Sequence, residues 1–285
     1  MTRNPDVLRL GSLRRYPWVA ATAERLPPSL DRIVRPRRWR QRQLVDRALG
    51  DASLVRRFRL GEPLPPEFGV GVDERAVEYP WLLAQAPAGR VLDAGSVLNH
   101  DAILDRFLPG IDELHVVTLA PERRSFPERG VSYVYADLRE LPYRDGAFDT
   151  VVCVSTLEHV GMDNSGYAPG AVREADPDRQ VRRAVEELRR VTAPGGRLLV
   201  TVPYGAKEDH GWLQQLDRDA MEAIVDADGP ARAAVSVFAY TRDGWQASSL
   251  EECADARYRD PLAEPSPDDL AACARAVACI ELRIE

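Results

Sequence analysis

The side chains of this chain that could do chemistry gather where apolar runs stop. Asp93, Gly95 and Ser96 close the run RVLDAGS. Thr118 and Leu119 follow HVV, Asp137 and Leu138 end VSYVYADL, Ser155 through His159 follow FDTVVCV, and Pro203 and Tyr204 end LLVTVPY. Each type has a use. A glycine lets backbone approach a ligand closely. Asp93 can hold a ligand ammonium group by a charge-assisted hydrogen bond, and Asp137 can accept from an exocyclic amine. The polar residues after FDTVVCV suit a second substrate. Of the four histidines, His115 lies inside an apolar run and reads as structural, and His100 opens a helix. His159 and His210 lie in loops and are the candidates for a general base, because imidazole titrates near neutral pH. Glu158, Asp163 and Asp209 could together hold a divalent ion, but their spacing matches no ligand motif, so no metal is expected. Tyr167, Tyr204, Trp212 and Trp245 could wall a pocket or pack loops.

Those residues need elements to position them. From Arg90 onward short apolar runs alternate with helical spacing. The run FDTVVCVSTLEHV is apolar on both faces, as a buried parallel strand is. The helix around VRRAVEELRRV carries Val181, Ala184, Val185, Leu188 and Val191 on one stripe, with Pro194 and Gly195 as its stop. Strands alternating with helices predict an α/β, doubly wound, mostly parallel sheet. In such a sheet ligands sit at the carboxyl ends of the strands, so the run-end residues become the candidate site. Further along, DRDAMEAIVDADG predicts a helix capped by Asp217. AVSVFAYTRDGWQ and ACIELRIE predict strands, with a helix over SPDDLAACARAV between them.

Length and charge bound the rest. The 285 residues are 45% hydrophobic, enough for one large core with an appendage. No apolar run reaches the ~18 residues of a membrane span, and the N-terminus lacks the apolar stretch of a signal peptide. Cys153, Cys253, Cys273 and Cys279 form no CxxC pair, which fits a reducing cytoplasm rather than a disulfide or zinc framework. Residues 1–60 hold 15 Arg against 5 acids, so the net −7 hides a basic arm on an acidic body. We divide the chain into an Arg- and Pro-rich, partly helical N-terminal extension (1–72), suited to a lid or an oligomer contact, and a domain over 73–285. Within the extension, RPRRWRQRQLVDRALG predicts a helix ending at Gly50 and LGEPLPPEFGVG a linker. DERAVEYPWLLAQAPAG then predicts a helix broken near Pro80. Its segment EYPWLL is positioned to pack over the strand ends. The arm lacks the interleaved aromatics of a stacking surface, so nucleic acid is not the expected partner.

Three stretches, VLDAGS, YADLRELPYRDGAFDTVVCVSTLEHV and ELRRVTAPGGRLLVTVP, occur in this order over roughly residues 90–204. Together they resemble a class I S-adenosylmethionine-dependent methyltransferase of the methyltransferase type 11 kind. The resemblance implies a seven-stranded Rossmann-like sheet with an antiparallel last strand. It implies S-adenosyl-L-methionine as cofactor and S-adenosyl-L-homocysteine as product. By resemblance Asp93 and Gly95 border the methionine part, Asp137 and Leu138 flank the adenine, and Ser155 lines the passage to the acceptor. Ser96 and Leu119 belong to the same strand ends. The family usually ends its second strand in an acid that grips the ribose hydroxyls; here that position is Thr118. The usual second and third turn glycines fall on Val97 and Asn99, whose amide could bond the cofactor. A looser likeness around HGWLQQLD and DGWQASSLEECADARYRD implies a small-molecule acceptor, a hydroxyl of a sugar or secondary metabolite, as in glycan or natural-product biosynthesis. Other readings stay open. One is a non-catalytic relative that binds a ligand or partner chain. Another is an NAD-dependent oxidoreductase, which the missing GxGxxG disfavours. A third is a nucleic-acid methyltransferase using the basic arm, which the acidic body disfavours.

Overall fold

The computed structural model describes residues 36–122, 124–225, 232–260 and 273–285, with side chains from Trp39 onward. Residues 1–35 of the extension, and most of the helix expected over SPDDLAACARAV, lie outside the described residues.

Ten strands and six helices are described. They run α1 (Pro36–Gly50), α2 (Ala52–Leu60), α3 (Arg75–Ala84), β1 (Gly89–Ala94), α4 (Asp101–Phe107), β2 (Ile111–Thr118), β3 (Val131–Tyr135), β4 (Phe148–Val154), α5 (Pro177–Val191), β5 (Thr192–Pro203), β6 (Glu208–Asp209), β7 (Gln214–Gln215), α6 (Arg218–Val225), β8 (Ala233–Thr241), β9 (Gly244–Ser248) and β10 (Ala276–Arg283). Eight strands form one sheet in the order β3-β2-β1-β4-β5-β10-β8-β9. The first five are parallel, and the last three join antiparallel. This is the expected doubly wound sheet with one strand more than seven. The extra strand arises because AVSVFAYTRDGWQ folds back on itself after Thr241 into the hairpin β8–β9. The return needs glycine. Gly244 has φ +94°, and a Cβ there would lie 2.3 Å from the Phe68 carbonyl oxygen.

The core forms on both faces of the sheet. β4 buries nearly every residue. α5 starts at Pro177, with the Asp176 carboxylate accepting from Arg179 N, a standard cap. It buries the whole predicted stripe, Val181 to Val191. The expected stop at Pro194 and Gly195 comes later than the real one. The helix ends at Val191 and Thr192 already opens β5, because the next apolar run pairs with β4.

On the other face, α1 and α2 share one hydrophobic cluster with α3, β8 and β9. Phe58 meets Phe238 at 5.3 Å between ring centres, Trp245 Nε1 donates to Val72 O, and Gly71 N donates to the Tyr240 hydroxyl. The helix α2 falls between the predicted helix and the predicted linker, in a stretch given no element, yet it has local signals. Asp51 accepts from Ser53 N and Leu54 N, and Gly61 ends the helix in the left-handed conformation. The break expected near Pro80 does not occur: α3 runs through it. The proline removes one donor, but eight of the ten residues of α3 are buried, and that packing offsets the lost bond.

Candidate active site

The turn after β1 departs from a glycine-rich path, and its geometry shows how. The left-handed residues are Gly95 (φ +121°) and Ser96 (φ +68°), not Val97 or Asn99. Asp93 organises the rest of the turn. Its carboxylate is fully buried and accepts from Val97 N at 3.0 Å and Leu98 N at 2.7 Å. Burial pushes its pKa up to about 7, and the two backbone donors oppose that rise. The Tyr79 hydroxyl donates to Val97 O, tying α3 to the turn. Val97 and Leu98 point into the core, so valine suits a position where the expected path wanted glycine. A Cβ on Gly95 would meet Thr156 Oγ1 at 2.0 Å. The glycine is required because β1 and the segment after β4 approach closely here.

Beyond this turn, the carboxyl ends of β1 to β4 enclose a cavity of about 550 Å³, within the usual range for a ligand pocket. Six of the nine expected cofactor residues line it: Gly95, Thr118, Leu119, Asp137, Leu138 and Ser155. Asp93, Ser96 and Asn99 stand behind the wall instead, with Asp93 committed to backbone and Asn99 to neighbouring side chains. The Asp137 carboxylate is taken up largely by Arg139, which donates to Oδ1 through Nε at 2.9 Å and to Oδ2 through Nη2 at 2.7 Å. Desolvation raises its proton affinity, but Arg139 outweighs that and holds it below the usual carboxylate range. Ser155 has φ +43°, a strained conformation for a residue with a side chain. Its hydroxyl donates to Glu78 Oε1 at 2.6 Å.

The histidines separate. His159 lines the cavity; His210 does not. His159 Nδ1 lies 3.0 Å from the Trp212 carbonyl. A carbonyl only accepts, so Nδ1 carries the proton and Nε2 keeps its lone pair. Burial lowers the His159 pKa, so the ring stays neutral at neutral pH. His210 lies between Glu208 and Asp260 at 3.7 and 3.9 Å, with its ring against Tyr258. His115 bonds Glu113 and packs on Phe148, as a strand histidine should. Among the aromatics, Tyr167 borders the cavity, whereas Tyr204 and Trp245 are fully buried in the core. Asp209 pairs with Arg173, and Asp163 caps its own turn at Ser165. No group of three metal-ligating side chains occurs among the described residues.

Three charged side chains at or behind the cavity wall escaped the sequence reading. Glu122 lines the cavity four residues past Thr118. Its Oε2 accepts from Asn99 Nδ2 at 2.8 Å, and Asn99 Oδ1 accepts from the Tyr133 hydroxyl. Arg75 also lines the cavity and donates to Glu78 Oε2 at 2.6 Å. Glu78 is fully buried and links α3 to Ser155 and Thr201. The acid in HVVTLAPE was visible in the sequence; only the fold of its loop carries it back to the strand ends.

A family model described as a methyltransferase domain matches residues 113–200. Those residues match a methyltransferase domain, in keeping with the resemblance to the class I, S-adenosylmethionine-dependent type. The turn after β1 lies ahead of the matched stretch. An Arabidopsis thaliana tRNA (carboxymethyluridine(34)-5-O)-methyltransferase is 30% identical over 161 residues, covering 54% of this chain. The chain spans about a third of that relative's length. Among solved structures, the YcgJ protein of Bacillus subtilis is 17% identical, with TM-score 0.46, over 73% of this chain and 98% of that one. The 1,6-didemethyltoxoflavin-N1-methyltransferase of Burkholderia thailandensis is 15% identical, with TM-score 0.43, over 74% and 76%.

S-adenosyl-L-methionine is the cofactor of this class, and the residues present fit it. The cavity has the volume, and Gly95 keeps its floor free of side chain. Leu119 and Leu138 offer apolar surface for a base, and the acid missing at Thr118 is available at Glu122. Leu119, Tyr167 and Val172 are exposed apolar side chains that all border this cavity, as expected of surface that a ligand covers.

Proposed function

We propose that this chain transfers the methyl group of S-adenosyl-L-methionine to a hydroxyl of a small molecule, a sugar or secondary metabolite, and works in the cytoplasm. Four free cysteines suit that compartment. When bound, the cofactor supplies an electrophilic methyl group. Gly95, Leu119, Leu138 and Asp137 hold its nucleoside and turn regions, and Glu122 offers the carboxylate that two ribose hydroxyls want. Arg75 stands ready for a carboxylate.

The observation that carries the reading is His159, on the cavity wall, with Nδ1 committed to Trp212 O and Nε2 available. An alcohol is a poor nucleophile until its proton leaves. His159 Nε2 accepts that proton, and its lowered pKa keeps it unprotonated for the task. His210, also a candidate base from the sequence, sits outside the cavity and is the second choice. The plant relative is named for transfer to an oxygen, which supports a hydroxyl acceptor. It is also named for tRNA, and a tRNA acceptor is the reading to set against a small molecule.

Calorimetry with S-adenosylmethionine and S-adenosylhomocysteine tests the cofactor. Methyl transfer from labelled cofactor to a panel of polyols, amines and bulk tRNA tests the acceptor. Label appearing in an amine nitrogen or in tRNA, with none in a hydroxyl compound, would overturn this proposal.

A further inference from the structure

The cavity wall draws on two sources. The ends of β1, β2 and β3 supply the residues assigned above to the cofactor's nucleoside. Most of the remainder is one stretch, residues 155–174 after β4. Its lining side chains are largely apolar: Val160, Met162, Tyr167, Ala171 and Val172, of which Tyr167 and Val172 are exposed. The His159 ring stands 6.4 Å from the Tyr167 ring, edge to face. The candidate base therefore borders an aromatic, apolar patch.

The polar groups of this stretch are spent on holding its shape. Ser155 Oγ donates to Glu78 Oε1, and Thr156 Oγ1 donates to Val154 O. Asn164 Nδ2 donates to His159 O and Met162 O, and Glu174 Oε1 accepts from Arg139 Nη1. The backbone N–H groups of Met162, Asn164, Tyr167, Ala171, Val172 and Glu174 all donate within the stretch. His159 Nε2 stays open, since Nδ1 is the nitrogen bonded to Trp212 O. A sugar would bring several hydroxyls against this wall, and each one buried without a partner is costly. A flat aromatic ring with one hydroxyl asks for a single acceptor and gains from apolar surface. The chemistry of the base agrees. A phenol hydroxyl titrates near ~10, as tyrosine does, far below an alkyl alcohol. It gives its proton to a neutral imidazole more readily.

We propose that the acceptor is a phenol, a planar aromatic compound whose ring lies against Tyr167, Met162 and Val172 and whose hydroxyl meets His159 Nε2. This inference rests on the functional reading above, because it takes His159 as the base. The phenol oxygen bonds to the methyl carbon, the carbon–sulfur bond breaks with its electron pair left on sulfur, and the phenol proton passes to His159 Nε2. The products are an aryl methyl ether and S-adenosylhomocysteine, and the imidazolium returns its proton to water.

The test offers the full chain labelled S-adenosylmethionine with either umbelliferone, a flat phenol, or methyl α-glucoside, a polyol of similar size, at equal concentration. Label is expected to enter umbelliferone about tenfold or more faster than the glucoside. Tyr167→Ala is expected to raise KM for umbelliferone about tenfold, with S-adenosylhomocysteine affinity as in the wild type. Tyr167→Phe, which keeps the ring, is expected to leave KM unchanged. Equal labelling of the two compounds, faster labelling of the glucoside, or labelling of neither by a chain that binds S-adenosylhomocysteine would overturn the inference and leave the methyltransferase reading standing. A KM in Tyr167→Ala no higher than in Tyr167→Phe would do the same. Absence of S-adenosylhomocysteine binding in the wild type would overturn both.

Discussion

Single side chains decide whether the cavity works. Glu122 is the clearest case: it lines the cavity, and its Oε2 accepts from Asn99 Nδ2. Glu122→Gln should weaken S-adenosylhomocysteine binding by about 1–2 kcal/mol, roughly the net worth of a hydrogen bond to a charged group, as read by calorimetry. An unchanged Kd would return the ribose to Thr118. His159→Gln should lower turnover by about 10²–10⁴-fold, the usual contribution of a general base, with cofactor affinity retained. Because burial lowers the His159 pKa, the acid limb of the rate profile should fall below the ordinary histidine value. A limb above it would point to another base. The sequence exposed His159 and the strand-end residues, because type and spacing suffice to mark them. It could not expose Arg75, Glu78 or Glu122, whose roles depend on how α3 and one loop fold back over the strand ends.

At the level of elements, the turn after β1 and the helix α5 carry separable predictions. Gly95→Ala adds a methyl group 2.0 Å from Thr156 Oγ1, at a φ of +121°. The variant should lose S-adenosylhomocysteine binding by more than it loses thermal stability. Parallel losses would mean that the turn serves the fold alone. Leu188→Ala opens a cavity under α5, where the side chain is fully buried. It should cost about 2–5 kcal/mol in denaturant melts, and a cost near zero would show that α5 packs loosely. The parallel strands were legible because their apolar runs are long and bounded by turn residues. The β8–β9 hairpin was not. Its return is made by Gly244 against Phe68, a contact between segments far apart in sequence. The path of the turn was not legible for a similar reason. Counting glycines assumes that the ligand sets the backbone path, whereas here Asp93 and Tyr79 set it from behind.

For the whole molecule, the buried acids next to α3 make stability depend on pH. Burial raises the Glu158 pKa to about 8, and burial with the Asp73 and Glu78 charges raises Glu74 to about 8. Folded-state values above the unfolded ones mean that the folded chain binds protons more tightly. These groups therefore contribute stability below the unfolded pKa that is lost as pH rises toward 8, at about 1.4 kcal/mol per pH unit per group at most. Glu158→Gln should flatten this decline in urea melts taken between about pH 5 and 8. An identical slope in the variant would show that Glu158 ionises freely. The central claim is that the strand ends form a cofactor site despite Thr118 and Val97. The most direct measurement is a calorimetric titration of S-adenosylhomocysteine into the full chain. The account predicts one-to-one binding near micromolar Kd, about −8 kcal/mol. No detectable binding at about 1 mM ligand, where even about −4 kcal/mol would register, would contradict it.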